Sequence, residues 1–393
     1  MKKFLAMTLV ATISLGIVGC SSGSSSSSSS SGEGSDVITI GMSAPITGNN
    51  AEYGKTFSVA AEIALERINE AGGINGKKVE MITMDSKGDP KEASEIAKKF
   101  SQNKDVLAVV GDFTSSSCMA AAPIYGENGL ILLTPSASHP DLAAMNEYIF
   151  GVAGRQDGEA PFLAEYQAQK YLGSKNSAVV YVNNDWGVTV KDLFVARAEE
   201  CGLNIVAVEQ FMEGEKDYNA LLTKIRQSNP DTINVISQAA DAALLCKQIR
   251  QLGWNDVNIS ISGGAFSPQL IQLGGEELNG AYIDAPFYLD ESNPEVVEFM
   301  EEFEKRAGYP TTTHAPYTYD AMMILFEAIK RADDAGSLDR KTVRDELAAT
   351  KDYPGYAGNI TFTEAGDVHK QYVIFEIKDG EFVRVTDYDF GLK

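Results

Sequence analysis

The sequence predicts an α/β fold built from two Rossmann-like lobes. Two series of apolar strands alternating with amphipathic helices, one before Gly154 and one after it, are typical of parallel sheets covered by helices. The chain from Asp36 onward, about 358 residues, exceeds what a single core comfortably holds, which favours two lobes. A strand-rich stretch at the end, 355–393, indicates that the chain crosses back and joins the lobes through several strands.

The first 19 residues have the layout of a secretory signal peptide. Two lysines precede an apolar run that is shorter than the roughly 20 residues of a membrane-spanning helix. The run ends in Ile-Val-Gly-Cys, which matches a bacterial lipobox and predicts lipidation of Cys20. An ordinary cleaved signal with an incidental cysteine is the alternative. Residues 20–35 are almost entirely Ser and Gly after the cysteine, so we expect a flexible tether.

Composition excludes some classes of partner and cofactor. The net charge of −22 argues against nucleic acid, which requires a basic surface, and against direct binding to anionic lipid. Beyond Cys20 there are three cysteines and, in the whole chain, three scattered histidines, so we expect one disulfide at most, no metal site and no cofactor.

The first series accounts for residues 37–134. Its predicted strands and helices alternate along the chain: Val37–Ala44, Gly54–Ala71, Lys78–Asp85, Pro90–Gln102, Val106–Gly111, Ser117–Asn128 and Leu130–Thr134.

The second series begins after Gly154. Its predicted strands are Ser177–Val182, Asn204–Phe211, Thr232–Ser237, Asn258–Ser262 and Gly280–Asp284. Its predicted helices are Val188–Cys201, Tyr218–Gln227, Asp241–Leu252 and Pro268–Leu273.

The last hundred residues depart from this alternation. Three helical patterns, Asn293–Gly308, Tyr317–Ala335 and Asp339–Lys351, precede strands at Ile360–Phe362, Gln371–Lys378 and Glu381–Thr386. Asp379-Gly380 between the last two predicts a tight hairpin. We therefore expect 36–154 with 286–354 to form one lobe, and 155–285 with 355–393 to form the other.

Motifs for nucleotide binding and hydrolysis are incomplete. Gly54-Lys55-Thr56 opens a helix after a strand, but the glycine spacing of a phosphate-binding loop is wrong by one residue. No Gly-x-Gly-x-x-Gly follows the first strand, and no Gly-x-Ser-x-Gly elbow occurs after Asp36. We therefore expect a binding protein rather than an enzyme.

Polar clusters follow three strands of the first series. They contain Tyr53, the serines 115–117, and Ser136-Ala137-Ser138. Ligands of open α/β sheets bind beyond the carboxyl ends of the strands, and a helix start offers free amides and a positive dipole end. Ser115 and Ser116 therefore predict a carboxylate site, although one serine acting only as a helix cap fits the same pattern.

The order and spacing of these pieces resemble the type I periplasmic binding proteins of branched-chain amino-acid ABC transporters, the leucine/isoleucine/valine-binding group. The matching segments are Ile40–Gly48, Glu52–Gly54, Ile68–Gly76, Asp85 with Asp89-Pro90, Gly111–Ser117, Leu133–Pro140, Tyr181–Gly187 and Pro316–Ala321. The resemblance implies a type I periplasmic-binding-protein fold that closes over a ligand between its lobes.

Site residues follow from the resemblance position by position. Ser115, Ser138 and the backbone of Ser136 match positions that hold the ligand's carboxylate and amino group, with Ser116 and Ala137 beside them. The remaining matches are aromatic positions that line the side-chain pocket: Tyr53, Trp186 and Tyr319. Core packing is the alternative for Trp186.

Two positions depart from the family pattern. Gly263 stands where amino-acid binders carry an acidic residue for the ligand's ammonium, and Gln238 replaces an aromatic residue. Because an unpaired buried ammonium is costly, either a nearby carboxylate substitutes or the ligand lacks the amine. The candidate carboxylates are Asp185, Asp241 and Asp284.

The sequence therefore predicts a lipid-anchored, monomeric solute-binding protein on the outer face of the cell membrane. We expect it to deliver an amino acid or related small carboxylate to an ABC permease and its ATPase. Two alternatives remain: a sensory module that delivers the solute to a membrane receptor, and a binder of another carboxylate such as an aromatic acid. An extracytoplasmic enzyme is disfavoured because the sequence offers no nucleophile–base set.

Overall fold

The computed structural model describes residues 37–286 and 289–386. The signal segment, Cys20 and the Ser-rich tether lie outside these residues. None of the helices within them combines the length and the apolar character needed to cross a membrane.

The first sheet is parallel, with the strand order β2-β1-β3-β4-β5. Its strands are β1 (Val37–Ala44), β2 (Lys78–Asp85), β3 (Val106–Gly111), β4 (Ile131–Thr134) and β5 (Ile149–Gly151). The connecting helices are α1 (Ala51–Glu70), α2 (Pro90–Gln102) and α3 (Ser115–Glu127). β3 and β4 are buried along their whole length, as expected of central strands covered on both faces.

The second sheet has seven strands in the order β14-β13-β10-β9-β8-β6-β7. Strands β6 (Asn176–Val182), β7 (Asn204–Phe211), β8 (Thr232–Ile236), β9 (Asn258–Ile261) and β10 (Tyr282–Ala285) are parallel. Its helices are α4 (Gln156–Phe162), continued by a π-helical segment Leu163–Tyr171, then α5 (Asp185–Cys201), α6 (Asn219–Gln227), α7 (Ala239–Gln251) and α8 (Pro268–Gly274).

The parallel part of the second sheet, β7-β6-β8-β9-β10, repeats the order of the first sheet. Each half is thus a doubly wound unit with a switch point beside its first strand. The predicted class, two Rossmann-like lobes in an α/β fold, is confirmed. β5 and α4 were not expected from the sequence; α4 contains Gly158 and Pro161, which interrupt the helical pattern.

The remaining elements return the chain between the two sheets. Helices α9 (Pro294–Ala307) and α10 (His314–Asp334) pack against α1, and α11 (Arg340–Ala348) packs on α10. A small hairpin, β11 (Tyr353–Gly355) with β12 (Gly358–Ile360), follows. Strand β13 (Val373–Lys378) then pairs antiparallel with β10, and β14 (Glu381–Arg384) pairs antiparallel with β13 at the edge of the second sheet. The turn between them has positive φ at Asp379 and Gly380, so the predicted tight hairpin is confirmed.

Candidate functional site

A cavity of about 70 Å³ lies where strands of both sheets end. This volume is several times the roughly 10–15 Å³ that one water molecule requires, so the cavity accommodates a small solute. Segments that follow β3, β4, β5, β6, β8, β9 and β10 all contribute to its wall, and so do residues of α4 and α10. The lining residues are Phe113, Thr114, Ser115, Ser116, Ser136, Ala137, Ser138, Ala153, Gly154, Glu159, Asn184, Trp186, Gln238, Gly263, Gly264, Pro286, Thr313, His314, Tyr317 and Tyr372.

The start of α3 forms one wall of the cavity. Thr114 caps the helix: its Oγ1 accepts from the backbone N–H of Ser117 at 3.1 Å. Ser115 and Ser116 occupy the first turn, where amides have no acceptor within the helix. The Ser115 Oγ is buried and bonds to no residue that the structure describes. Amides, a hydroxyl and the positive end of the helix dipole together suit an anionic group.

The loop after β4 lies opposite and contributes Ser136, Ala137 and Ser138. The backbone N–H groups of Ser136 and Ala137 donate to Thr134 Oγ1 at 3.2 and 2.9 Å. The N–H of Ser136 is therefore engaged within its own loop. The hydroxyl groups of Ser136 and Ser138 are the polar side-chain atoms that this loop presents at the cavity.

Aromatic rings supply the apolar part of the wall. Trp186 follows β6, and only 8% of its surface is exposed. It packs against Gly264, where an added Cβ would lie 2.8 Å from Trp186 Cζ2. Phe113 faces the cavity from the first sheet and was not singled out in the sequence. The ring of Tyr53 stacks on Phe113 with centroids 4.0 Å apart, so Tyr53 supports the wall from behind rather than lining it.

Tyr319 is not brought to this cavity. Its ring stacks on Tyr356 at 4.9 Å and its hydroxyl accepts from Arg67 at 3.3 Å. His314 and Tyr317 line the cavity instead, because residues three apart share one face of α10 whereas Tyr319 points to another.

His314 and Gln238 add polar atoms to the wall. Burial lowers the pKa of His314 to about 4, so the imidazole is neutral at pH 7. Its Nδ1 and the Gln238 Oε1 are buried and accept no hydrogen bond from the described part of the chain. The sequence offered no sign that His314 would line the cavity.

The three aspartates considered as ammonium partners lie in different places. Asp185 is exposed on the first turn of α5. Asp241 accepts from the Tyr218 hydroxyl at 3.0 Å and from the Gly214 amide, away from the cavity lining. Only Asp284, at the end of β10, lies beside Gly263: an added Cβ at Gly263 would be 3.1 Å from Asp284 Oδ2.

A second carboxylate at this place was missed in the sequence. Glu159, on α4, lines the cavity, and its Oε1 accepts from the backbone N–H of Gly263 at 3.1 Å. Burial raises the pKa of Glu159 to about 7, although the Gly263 amide opposes this. Burial, together with the charge of Glu159, holds the pKa of Asp284 well above its ordinary value.

The fold and the cavity define a two-lobed α/β binding protein with a solute-sized site at the strand ends of both lobes. Residues 37–381 match the periplasmic binding protein family, and the chain belongs to that family.

Its relatives agree with the resemblance read from the sequence. The leucine-, isoleucine-, valine-, threonine- and alanine-binding protein of Pseudomonas aeruginosa is 28% identical, over 87% of this chain and 90% of the relative. The leucine-binding protein LivK of Thermotoga maritima superposes with a TM-score of 0.82 at 28% identity, covering 89% of this chain and 98% of that one. The branched-chain amino acid transporter substrate-binding protein LivJ of Streptococcus pneumoniae, solved with isoleucine, gives 0.82 at 26% identity, covering 89% and 99%.

Proposed function

We propose that this chain is the extracytoplasmic receptor of an ABC importer, and that it binds an amino acid or a related small carboxylate between two closing lobes. The observation that carries the proposal is the cavity shared by the strand ends of both sheets, with the start of α3 in its wall. Binding and closure are the whole mechanism, because a ligand that contacts both lobes stabilises the closed form that docks on a permease.

The ligand's two ends are assigned from the wall. Ser115, Ser116 and Ser138 hold a carboxylate, with Ser136 and Ala137 shaping the loop beside it. Phe113, Trp186 and Tyr317 surround an apolar side chain of the ligand. Gln238 and His314 make this pocket more polar than a pocket for a purely hydrocarbon side chain. The names of the relatives support amino acids as the leading class.

The anchor and the lobe boundaries complete the proposal. Cleavage before Cys20, lipidation of that cysteine and the tether 20–35 would hold a monomeric receptor at the outer face of the cell membrane. Lobe 1 comprises 36–154 and 286–354, and lobe 2 comprises 155–285 and 355–393. The packing of α9 and α10 on α1, and the pairing of β13 with β10, support this division.

The test begins with a thermal-shift screen of amino acids, aromatic acids, amides and short peptides, since a ligand specific for the folded state raises the melting temperature. Calorimetry with each hit then compares the wild type with the double variant Ser115→Ala/Ser138→Ala. We expect the affinity to fall on the order of tenfold or more, because each substitution removes a hydroxyl that holds a charged group.

Ser292→Ala is the matched control, because the hydroxyl of this exposed serine donates to Asp290 and the residue does not line the cavity. Unchanged affinity in the double variant would contradict the carboxylate assignment. A screen in which no small carboxylate raises the melting temperature would contradict the proposed function itself.

A further inference from the structure

Two buried carboxylates converge on Gly263. An added Cβ on this glycine would lie 3.1 Å from Asp284 Oδ2 and 3.4 Å from Glu159 Oε1. The two acids come from separate elements, α4 and β10, and the Gly263 amide binds the carboxylate of Glu159. A side chain at 263 would be tight against Asp284, which would have to shift by a few tenths of an ångström (about 0.3 Å).

Neither acid forms an ion pair with a lysine, arginine or histidine in the part of the chain that the structure describes. Glu159 is 7% exposed and Asp284 is fully buried. Neither Asp284 oxygen accepts a hydrogen bond from any residue that the structure describes. The residues lining the cavity include no lysine or arginine within the described ranges. Two buried carboxylates so close together cannot both carry an unpaired charge, so the pair needs a proton or a positively charged group from outside the chain.

The two carboxylates lie where the family resemblance expects an ammonium-binding acid. The resemblance to amino-acid binders places their ammonium-binding acid at residue 263, where this chain has glycine. The space that such a side chain would enter is bordered here by Glu159 and Asp284. Glu159 of α4 therefore brings a carboxylate to the cavity wall beside residue 263, and Asp284 of β10 lies next to the same glycine.

We propose that Glu159, backed by Asp284, is the subsite that receives the ammonium group of the ligand. This inference rests on the proposed function and makes it narrower, because it selects amine-bearing ligands over carboxylates without an amine. Burial and the charge of Glu159 hold the pKa of Asp284 well above its ordinary value, so Glu159, which also lines the cavity, is the acid that takes the cation. Charge-assisted contacts of this kind are stronger than hydrogen bonds between neutral groups.

The test uses two sets of three probes on the full-length protein. The first set is leucine, its des-amino form 4-methylpentanoate and its des-carboxy form 3-methylbutylamine. The second set is phenylalanine, 3-phenylpropanoate and 2-phenylethylamine. Calorimetry at about pH 7.5, close to neutrality, measures the affinity of the wild type, Glu159→Gln and Asp284→Asn for each probe.

We expect the wild type to prefer the amino acid over its des-amino form by on the order of tenfold or more. Glu159→Gln should remove that preference and retain the des-amino affinity, because glutamine keeps the acceptor for the Gly263 amide while losing the charge. Retained binding of the des-amino probe also shows that the variant is folded. Asp284→Asn should weaken the preference less, since Asp284 acts through Glu159.

The exposed Glu95 provides the control, because Glu95→Gln makes the same change of charge away from the cavity lining. If the des-amino probe binds as well as the amino acid, or if Glu159→Gln keeps the preference, the ammonium subsite is wrong and the carboxylate receptor stands. Loss of the preference in Asp185→Asn or Asp241→Asn instead would also overturn it. If only the des-carboxy amines bind, and bind through Glu159, the subsite is right and the carboxylate assignment is wrong.

Discussion

Two adjacent glycines determine which side chains pack beside the cavity in the second sheet. Gly264 makes room for Trp186, and Gly263 makes room for Glu159 and Asp284. The sequence showed that residue 263 lacks an expected carboxylate, and it named Asp284 among three replacements. It could not separate Asp284 from Asp185 and Asp241, because each follows an apolar segment and only the packed structure shows which one lies beside Gly263.

At the scale of residues, burial of Glu159 predicts that the free energy of unfolding of the ligand-free protein depends on pH. Its pKa rises from an ordinary 4.5 to about 7, so between these values the folded state keeps a proton that the unfolded state has lost. Stability from this group is therefore greatest in acid and declines as the pH rises through 7. The decline is at most about 3.5 kcal/mol, at about 1.4 kcal/mol for each unit of pKa.

Denaturant unfolding of the wild type and Glu159→Gln at pH 5 and pH 8 (about two units below and one above the pKa) measures this pH dependence. We expect the free energy of unfolding of the variant, relative to that of the wild type, to increase as the pH rises. The other titratable groups around Glu159 are Asp284, Tyr317 and Tyr372, and burial keeps the pKa of each well above its ordinary value. Arg155 and Asp157 pair with each other on the same turn. A stability difference that is equal at both pH values would contradict ionisation of Glu159 in this range.

At the scale of elements, strong periodicity was enough to predict most of the fold. β1, β2, β3, β7 and α2 have the predicted bounds, because apolar positions and caps coincide there. Asp89 illustrates this: it accepts from the amides of Lys91 and Glu92 and precedes Pro90.

The short, interrupted elements were missed. β5 has three residues, and α4 contains Gly158 and Pro161 before a π-helical segment. A helix whose pattern is broken in this way gives no steady period of 3.6 residues. Glu159 was missed for the same reason, since a carboxylate on an unrecognised helix could not be placed beside the strand ends of the second sheet.

The capping of α3 yields a prediction at this scale. Thr114→Ala removes the acceptor for the Ser117 amide and should lower the free energy of unfolding by about 0.5–2 kcal/mol. It should also weaken carboxylate binding, because the first-turn amides lose their fixed direction. Chemical denaturation and calorimetry with a carboxylate ligand measure the two effects.

Asp339→Ala serves as the control, since Asp339 caps α11 by accepting from the Thr342 amide and does not line the cavity. It should cost comparable stability without changing affinity. If Thr114→Ala destabilises the protein but binds the carboxylate normally, the start of α3 is not the anion site.

At the scale of the whole molecule, repetition of one strand order explains why the site lies where it does. Each sheet has the order of a doubly wound unit, so each presents loops at the carboxyl ends of its strands. The return of the chain through α9–α11 and β13 keeps the two sets of loops facing one cavity. The alternation of strands and helices in the sequence predicted both units. It could not predict which loops contact each other, because those contacts join residues far apart in the chain.

Such contacts are concentrated in the first turn of α1. The Asn50 side chain donates to Glu213 Oε1 at 3.0 Å, and Glu52 accepts from the Ser267 hydroxyl at 3.2 Å. Tyr53 makes two bonds with its hydroxyl: it donates to Gly264 O at 3.0 Å and accepts from the Ala239 amide at 3.3 Å. These bonds join α1 of the first series to loops of the second, beside the cavity.

Tyr53→Phe therefore tests closure without touching the cavity lining. The variant keeps the ring on Phe113 but loses both bonds, each of which contributes about 1 kcal/mol. Because a ligand's apparent affinity scales with the population of the closed form, affinity should fall by on the order of tenfold. Small-angle scattering should show that the ligand-free variant has a larger radius of gyration than the ligand-free wild type, and saturating ligand should abolish the difference.

Tyr309→Phe is the control, because the Tyr309 hydroxyl bonds to Thr56 on the same side of the cleft. This variant should match the wild type in both measurements. Equal affinities in Tyr53→Phe and the wild type would show that the hydroxyl does not stabilise the closed form.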